Sequence, residues 1–201
     1  MTLIGKPTLA ANNYAELLKW MEANKGKINL ANAGLGAASH LCGLLFQSSV
    51  KIAMQTVPYK GTGPAMTDLL GGQVDLMCDQ TTNTTSQIAA GAVRAYAVTT
   101  DHRLSTPALK NLPTLDESGL PGFDDVTWNG YVAPAGTPRD VLARLHAAIA
   151  KAVAEPEFHK RWLERGIETG ASASPAEFSA YIKAEAESFM KLVQETGMKV
   201  E

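Results

Sequence analysis

The sequence predicts an α/β fold built on a mostly parallel sheet. Three observations carry that expectation. Short apolar stretches bounded by turn residues alternate with helix-period segments as far as Val98. The connections after three of the strands are short and rich in glycine or polar residues. Beyond Pro138 the pattern changes to helix alone. Strands separated by helices favour parallel pairing, with helices covering the faces of the sheet.

Asn13-Tyr14-Ala15-Glu16 has the form of a capping box, and Leu17, Trp20 and Met21 give the helix behind it an apolar face as far as Gly26. Ile28–Ala31 reads as a strand that feeds a small-residue loop. The next helix spans Ala38 to Ser48, with Leu41, Cys42, Leu44 and Leu45 as its buried stripe. Gln55–Tyr59 is a strand and Lys60–Pro64 a second glycine-rich turn. Pro64 suits the first turn of a helix that buries Ala65, Leu69 and Leu70 and stops at Gly71-Gly72. Val74–Cys78 is a strand, Asp79–Thr85 a polar connection, Ser86–Ala90 a helix and Arg94–Val98 a further strand. Pro107–Pro121 is turn-rich and Val126–Val132 extended. Three helices follow, opening at Thr137-Pro138-Arg139-Asp140, at Glu155-Pro156-Glu157 and at Ser174-Pro175-Ala176-Glu177, the last stopped by Gly197. The first of these places Val141, Leu142, Leu145 and Ile149 on one side.

A chain of 201 residues can bury a substantial core as one large domain or two lobes. Hydrophobic residues make up 45%, charged residues 19%, and the formal charge is −2, a balance that suits neither disorder nor nucleic-acid binding. The apolar runs are too short for a transmembrane helix, and Met1–Pro7 lacks the basic and apolar regions of a signal peptide. Cys42 and Cys78 read first as buried free thiols and second as a disulfide; no further cysteine pair or histidine cluster supports a metal site. No cofactor is expected.

Ala31–Phe46 is the most informative stretch. Gly34 and Gly36 let the backbone bend and approach a ligand, and Ala37, Ala38 and Ser39 fall where a helix N-terminus offers free N–H groups. That arrangement suits a carboxylate or phosphate. Three loops, Gly34–Ser39, Tyr59–Pro64 and Asp79–Thr82, meet at the carboxyl edge of a parallel sheet, where open α/β folds bind ligands. The ligand-binding candidates are therefore Gly36, Ala37, Ala38, Ser39, Tyr59, Asp79, Gln80 and Thr81. Asp79 reads equally as a ligand-orienting group and as a helix cap. Lys60 reads as solvated, and Trp128 as a hinge packing residue rather than a stacking platform.

Competing chemistries are thinly supported. Gly34-x-Gly36-x-x-Ser39 lacks the third glycine of a dinucleotide fingerprint, and Gly61-Thr62-Gly63-Pro64 is no phosphate loop. Ser39 and His40 are neighbours on a helix and point about 100° apart, so they make a poor nucleophile and base. Ser39 is expected as a helix-terminal donor, and His40 as packing or a cap. The alternatives to simple binding are a small α/β hydrolase or a nucleotide-binding enzyme using the Gly34–Ser39 loop, or a truncated remnant that binds nothing.

Six blocks in order resemble one family: Gly34–Gly43, Val57–Ala65, Asp68–Met77, Leu112–Leu115, Gly119–Gly122 and Ala133–Pro138. The chain is similar to the extracytoplasmic solute-binding proteins of tripartite tricarboxylate transporters, the Bug family. The resemblance implies a two-lobed clamp of the type II periplasmic-binding-protein kind, no catalysis, a small carboxylate as solute, the membrane subunits of such a transporter as partners, and a periplasmic location. It implies that a bound carboxylate is held by backbone amides, hydroxyls and bridging waters at Gly34–Ser39 and around Asp79. Many members carry Ser or Thr at the position of Ala37, so Ser39 or backbone N–H groups must serve here. The chain resembles the second lobe with the C-terminal helices of the first, as if truncated at its N-terminus. On that basis residues 11–127 are expected as the second lobe, with 1–10 and 128–201 as crossing strands and helices of an incomplete first lobe. Those helices are expected away from the pocket, with an exposed apolar face.

Overall fold

The computed structural model describes residues 1–197. Five strands form one sheet: β1 (Thr2–Gly5), β2 (Asn29–Asn32), β3 (Gln55–Pro58), β4 (Leu76–Asp79) and β5 (Arg94–Val98). They are arranged β3-β2-β4-β1-β5. β2 pairs in parallel with β3 and with β4, and β1 pairs antiparallel with β4 and β5, so four of the five strands run the same way. Residues 1–10, read as a crossing strand, thus supply a strand bonded on both sides inside this sheet. Residues 124–131 join no ladder, so the segment expected to be extended at Val126–Val132 adds no strand to the sheet.

Neighbouring residues on each strand serve opposite faces. Leu3, Leu30, Leu76 and Tyr96 pack with Tyr14, Leu17 and Met21 of α1 (Tyr14–Ala23) and with Phe46 of α2 (Ala38–Val50). Ile4, Ala31 and Met77 pack with Ala65, Met66 and Leu69 of α3 (Thr62–Leu70), and Ile88 of α4 (Thr81–Ala89) joins that side. The capping box forms with a variation. Asn13 Oδ1 accepts the Glu16 N–H at 2.9 Å, while the Glu16 carboxylate takes the backbone N–H of Asn12 at 2.8 Å.

Two elements differ from expectation. α4 begins at Thr81, so most of the supposed polar connection is helix. Thr84 and Thr85 donate their hydroxyls to the carbonyls of Gln80 and Thr81, which offsets the poor helix propensity of threonine. In α2 the buried side chains are Ser39, His40, Cys42 and Phe46, whereas Leu41, Leu44 and Leu45 are only half buried. A second face of α2 meets α7 (Pro175–Thr196).

The helices beyond Pro138 are α5 (Arg139–Ala154), α6 (Pro156–Leu163) and α7. α5 and α6 bury no side chain completely, and Val141, Leu145, Phe158, Tyr181 and Met190 are exposed hydrophobic residues. α7 departs from expectation, because Phe189 lines an open cleft of about 170 Å³ with Ala38 and Leu41 of α2 and with 125–128. It therefore lies beside the start of α2 rather than away from it. Trp128 makes edge contacts with Phe178 and Tyr181 of α7 and donates from Nε1 to Glu185 at 3.3 Å, a packing role.

Candidate functional site

β2, β3 and β4 are adjacent, parallel and each followed at once by a helix, so α2, α3 and α4 all start at one edge of the sheet. The three connecting loops are joined there by hydrogen bonds. The N–H of Tyr59 donates to the Asn32 carbonyl and that of Gly61 to the Ala33 carbonyl, both at 3.0 Å. Asn83 Nδ2 donates to Thr62 Oγ1 and to Asp79 Oδ2, each at 3.3 Å.

The first loop is shaped by side chains around it. Ser39 Oγ accepts the N–H of Ala33 at 2.8 Å, Asn32 Oδ1 that of Gly34 at 2.9 Å, and His40 Nδ1 that of Gly36 at 3.0 Å. Gly34 and Gly36 have φ of +133° and +75°, a region costly for other residues, and Gly34 approaches the Tyr59 carbonyl closely. Ser39 is thus an acceptor for the loop, with its hydroxyl hydrogen still available to donate. Both it and His40 are occupied separately, and no nucleophile–base pair exists between them. Burial holds the His40 imidazole below its ordinary pKa, consistent with a neutral ring.

The sequence candidates fall into two groups. Ala37 caps α2 without any side-chain hydrogen bond, and the N–H groups of Ala38 and Ser39 find no acceptor among the described residues. Gln80 caps α4, also without a side-chain bond, and the N–H groups of Thr81 and Thr82 are likewise unpaired among them. These four N–H groups form the donor-rich part of the edge, whereas those of Gly36, Ala37 and Gln80 are already bonded within the loops. Tyr59 and Asp79 make hydrogen bonds within the lobe. The Tyr59 hydroxyl donates to Asp68 at 2.7 Å, and burial together with that carboxylate pushes its pKa up to about 12. Asp79 Oδ1 accepts the Gln80 N–H at 2.8 Å; burial raises its pKa, opposed by the hydrogen bonds to Gln80, Thr62 and Asn83. Lys60 is exposed.

Sequence reasoning missed Asn32 and Asp125 and ranked the pairing of Cys42 with Cys78 second. Asn32 two residues before Gly34 is an Asx-turn signal that could have been read. Cys42 and Cys78 are joined in a disulfide with Cα atoms 6.0 Å apart, which corrects the free-thiol reading. Asp125 is 7% exposed and its Oδ2 has no hydrogen-bond partner. Burial pushes its pKa up to about 6, with the Met1 ammonium opposing and Glu185 and Asp124 reinforcing the rise.

An α/β lobe with three helix starts gathered at one strand edge defines a ligand-binding unit of the periplasmic-binding-protein kind. The family model for the tripartite tricarboxylate transporter family receptor matches residues 1–198, and the chain belongs to that family. It is 41% identical over 199 residues to a UPF0065 protein from the TAR-I ttuE-ttuC' intergenic region of Agrobacterium vitis, covering 98% of this chain and 57% of that protein. Among solved structures, the periplasmic binding protein BugD is similar at 45% identity and a TM-score of 0.85, over 100% of this chain and 67% of its own. Rpa4515 of R. palustris with adipate is similar at 29% identity and a TM-score of 0.86, over 98% and 64%. MatC of Rhodopseudomonas palustris with bound malate is similar at 31% identity and a TM-score of 0.81, over 96% and 65%. The chain spans little more than half the length of the curated relatives first matched. The family is one of solute receptors rather than enzymes, and no helix among the described residues is long and apolar enough to cross a membrane.

Proposed function

We propose that this chain is the carboxylate-gripping lobe of a periplasmic solute receptor, with a short aliphatic dicarboxylate as its solute. The observation that carries the reading is the pair of unpaired N–H groups at Ala38 and Ser39, presented by a loop whose own amides are already bonded to Ser39, Asn32 and His40. A carboxylate there meets oriented donors and the positive end of α2 without any reorganisation of the loop. The N–H groups of Thr81 and Thr82 at the start of α4 offer donors for bridging waters or a second carboxylate. Adipate and malate in two similar proteins support the solute class.

In this reading residues 11–127 act as one wall of a clamp, residues 128–201 lead to the opposite wall, and the membrane subunits of a tripartite tricarboxylate-type transporter receive the solute. The test is a thermal-shift and calorimetric screen of short mono- and dicarboxylates. Ligand at 100 times its dissociation constant adds about 2.7 kcal/mol of stability. Saturable binding of malate or adipate that is lost in Ala38→Pro supports the site. Binding undisturbed by Ala38→Pro in a folded protein removes it from α2.

A further inference from the structure

The loop edge is stitched unevenly. The first and second loops share backbone hydrogen bonds, and Asn83 links the second and third. Among the described residues no hydrogen bond joins 33–41 directly to 79–83. The ladder between β2 and β4 ends at Ala31 and Met77, just short of both loops. What spans this gap is the bond from Cys42, one turn beyond Ala38, to Cys78, the residue before Asp79. Both cysteines are 1% exposed, and Ala38 and Met1 pack on the bridge. The first turn of α2 therefore rests on the sulfur atoms. It has no side-chain cap of its own, whereas the fully buried Phe46 anchors the helix only two turns further on.

We propose that the Cys42–Cys78 disulfide is a positioning element of the anion site, fixing the spacing between the amide donors that open α2 and those that open α4. Its role in affinity rests on the function proposed above; its role in holding the two loops does not. The bond couples the loops across the one boundary that hydrogen bonds leave open. Breaking it frees the first turn of α2 to move against the end of β4 while the sheet and its other helices keep their contacts.

The test compares oxidised and reduced wild-type protein, dithiothreitol supplying the two electrons and two protons that convert the bridge into two thiols. Hydrogen exchange is followed at the amides of Ala33, Gly36 and Gln80, and malate and adipate are titrated by calorimetry. Reduction should speed exchange at those three amides about tenfold or more, leave β5 and α1 unchanged, and weaken uptake of either acid at least fivefold. The Cys42→Ala/Cys78→Ala double variant should match the reduced protein; if it does not fold, the reduced wild type at low temperature serves alone. Exchange that quickens evenly over the chain, or loops that stay protected, overturns the proposal. So does unchanged affinity after reduction. If the oxidised protein binds neither acid, the solute assignment fails and the exchange pattern alone decides the positioning role.

Discussion

His40 closes the glycine loop onto its own helix, its Nδ1 accepting the N–H of Gly36 at 3.0 Å. The bond requires a neutral ring with its proton on Nε2. Burial lowers the folded pKa, so the stability that His40 contributes is present above the unfolded value and is lost as pH falls through the folded one. The Gly36 amide resonance should therefore titrate at a lower pH than a free histidine does. His40→Phe should abolish that titration and cost about 0.5–1.5 kcal/mol, the net worth of a part-buried hydrogen bond. A Gly36 signal constant down to acid unfolding would contradict the arrangement.

Ser39 acts through loop shape. Ser39→Ala removes the acceptor for Ala33 and should destabilise the protein by about 1–3 kcal/mol in urea unfolding. Dicarboxylate affinity should fall roughly tenfold, a change of about 1.4 kcal/mol, because the loop presenting the free amides loses its brace. Lys60→Ala, on an exposed side chain, should leave both quantities unchanged.

Gly166 is the seat of the turn after α6. Its φ is +80°, and a Cβ there would stand 2.6 Å from Thr81 Cβ and 2.9 Å from Thr85 Oγ1. Gly166→Ala should cost about 1–3 kcal/mol by combining backbone strain with overpacking against α4. The loss should appear in equilibrium unfolding and as faster exchange between Leu163 and Glu168. Wild-type stability in this variant would mean the turn does not dock on Thr81.

Asp125 gives stability a pH slope. Its folded pKa of about 6 exceeds the ordinary carboxylate value, so its contribution is fully present below the unfolded pKa and lost as pH rises through 6. Between pH 4 and 8 that loss amounts to about 2 kcal/mol. Asp125→Asn should lack it, so the stability difference between the two proteins should shift by about that amount over the interval, read by denaturant unfolding at each pH. Parallel pH profiles would refute a buried, unpartnered carboxylate.

Local chemistry made much of this molecule readable in advance. Asn13 and Glu16 mark the start of α1, Gly71 and Gly72 the end of α3, and Ser174 and Gly197 the bounds of α7, because caps and left-handed glycines act within a few residues. The three loops could be gathered at one edge because parallel strands joined by short helices leave few alternatives. What escaped is tertiary. Cys42 and Cys78 lie 36 residues apart on a helix and a strand, and their pairing depends on how α2 crosses the sheet. The start of α4 was hidden by a run of threonines whose helix is stabilised by back-bonds and by Thr2 against Thr84 at 2.6 Å. Leu41 and Leu45 of α2 line clefts beside α7, because a helix with two apolar faces does not show in its sequence which neighbour each will meet.

The place of β1 bears on how the chain reaches its native state. Leu3 pairs with Cys78 on one side and Ala97 on the other, so a strand at the start of the sequence completes the middle of the sheet. The parallel trio β3-β2-β4 can assemble from contacts of moderate sequence separation, but β5 reaches it only through β1. Closing a loop of some 75 residues costs only about 0.6 kcal/mol more than closing one half as long, so equilibrium stability scarcely registers the arrangement. The rate does, since such distant contacts slow the search for the native topology. During synthesis Leu3 and Ile4 stay unpaired and apolar until β4 has left the ribosome, and their second side stays open until β5 follows. That interval is when this chain is most exposed to aggregation and most in need of a chaperone.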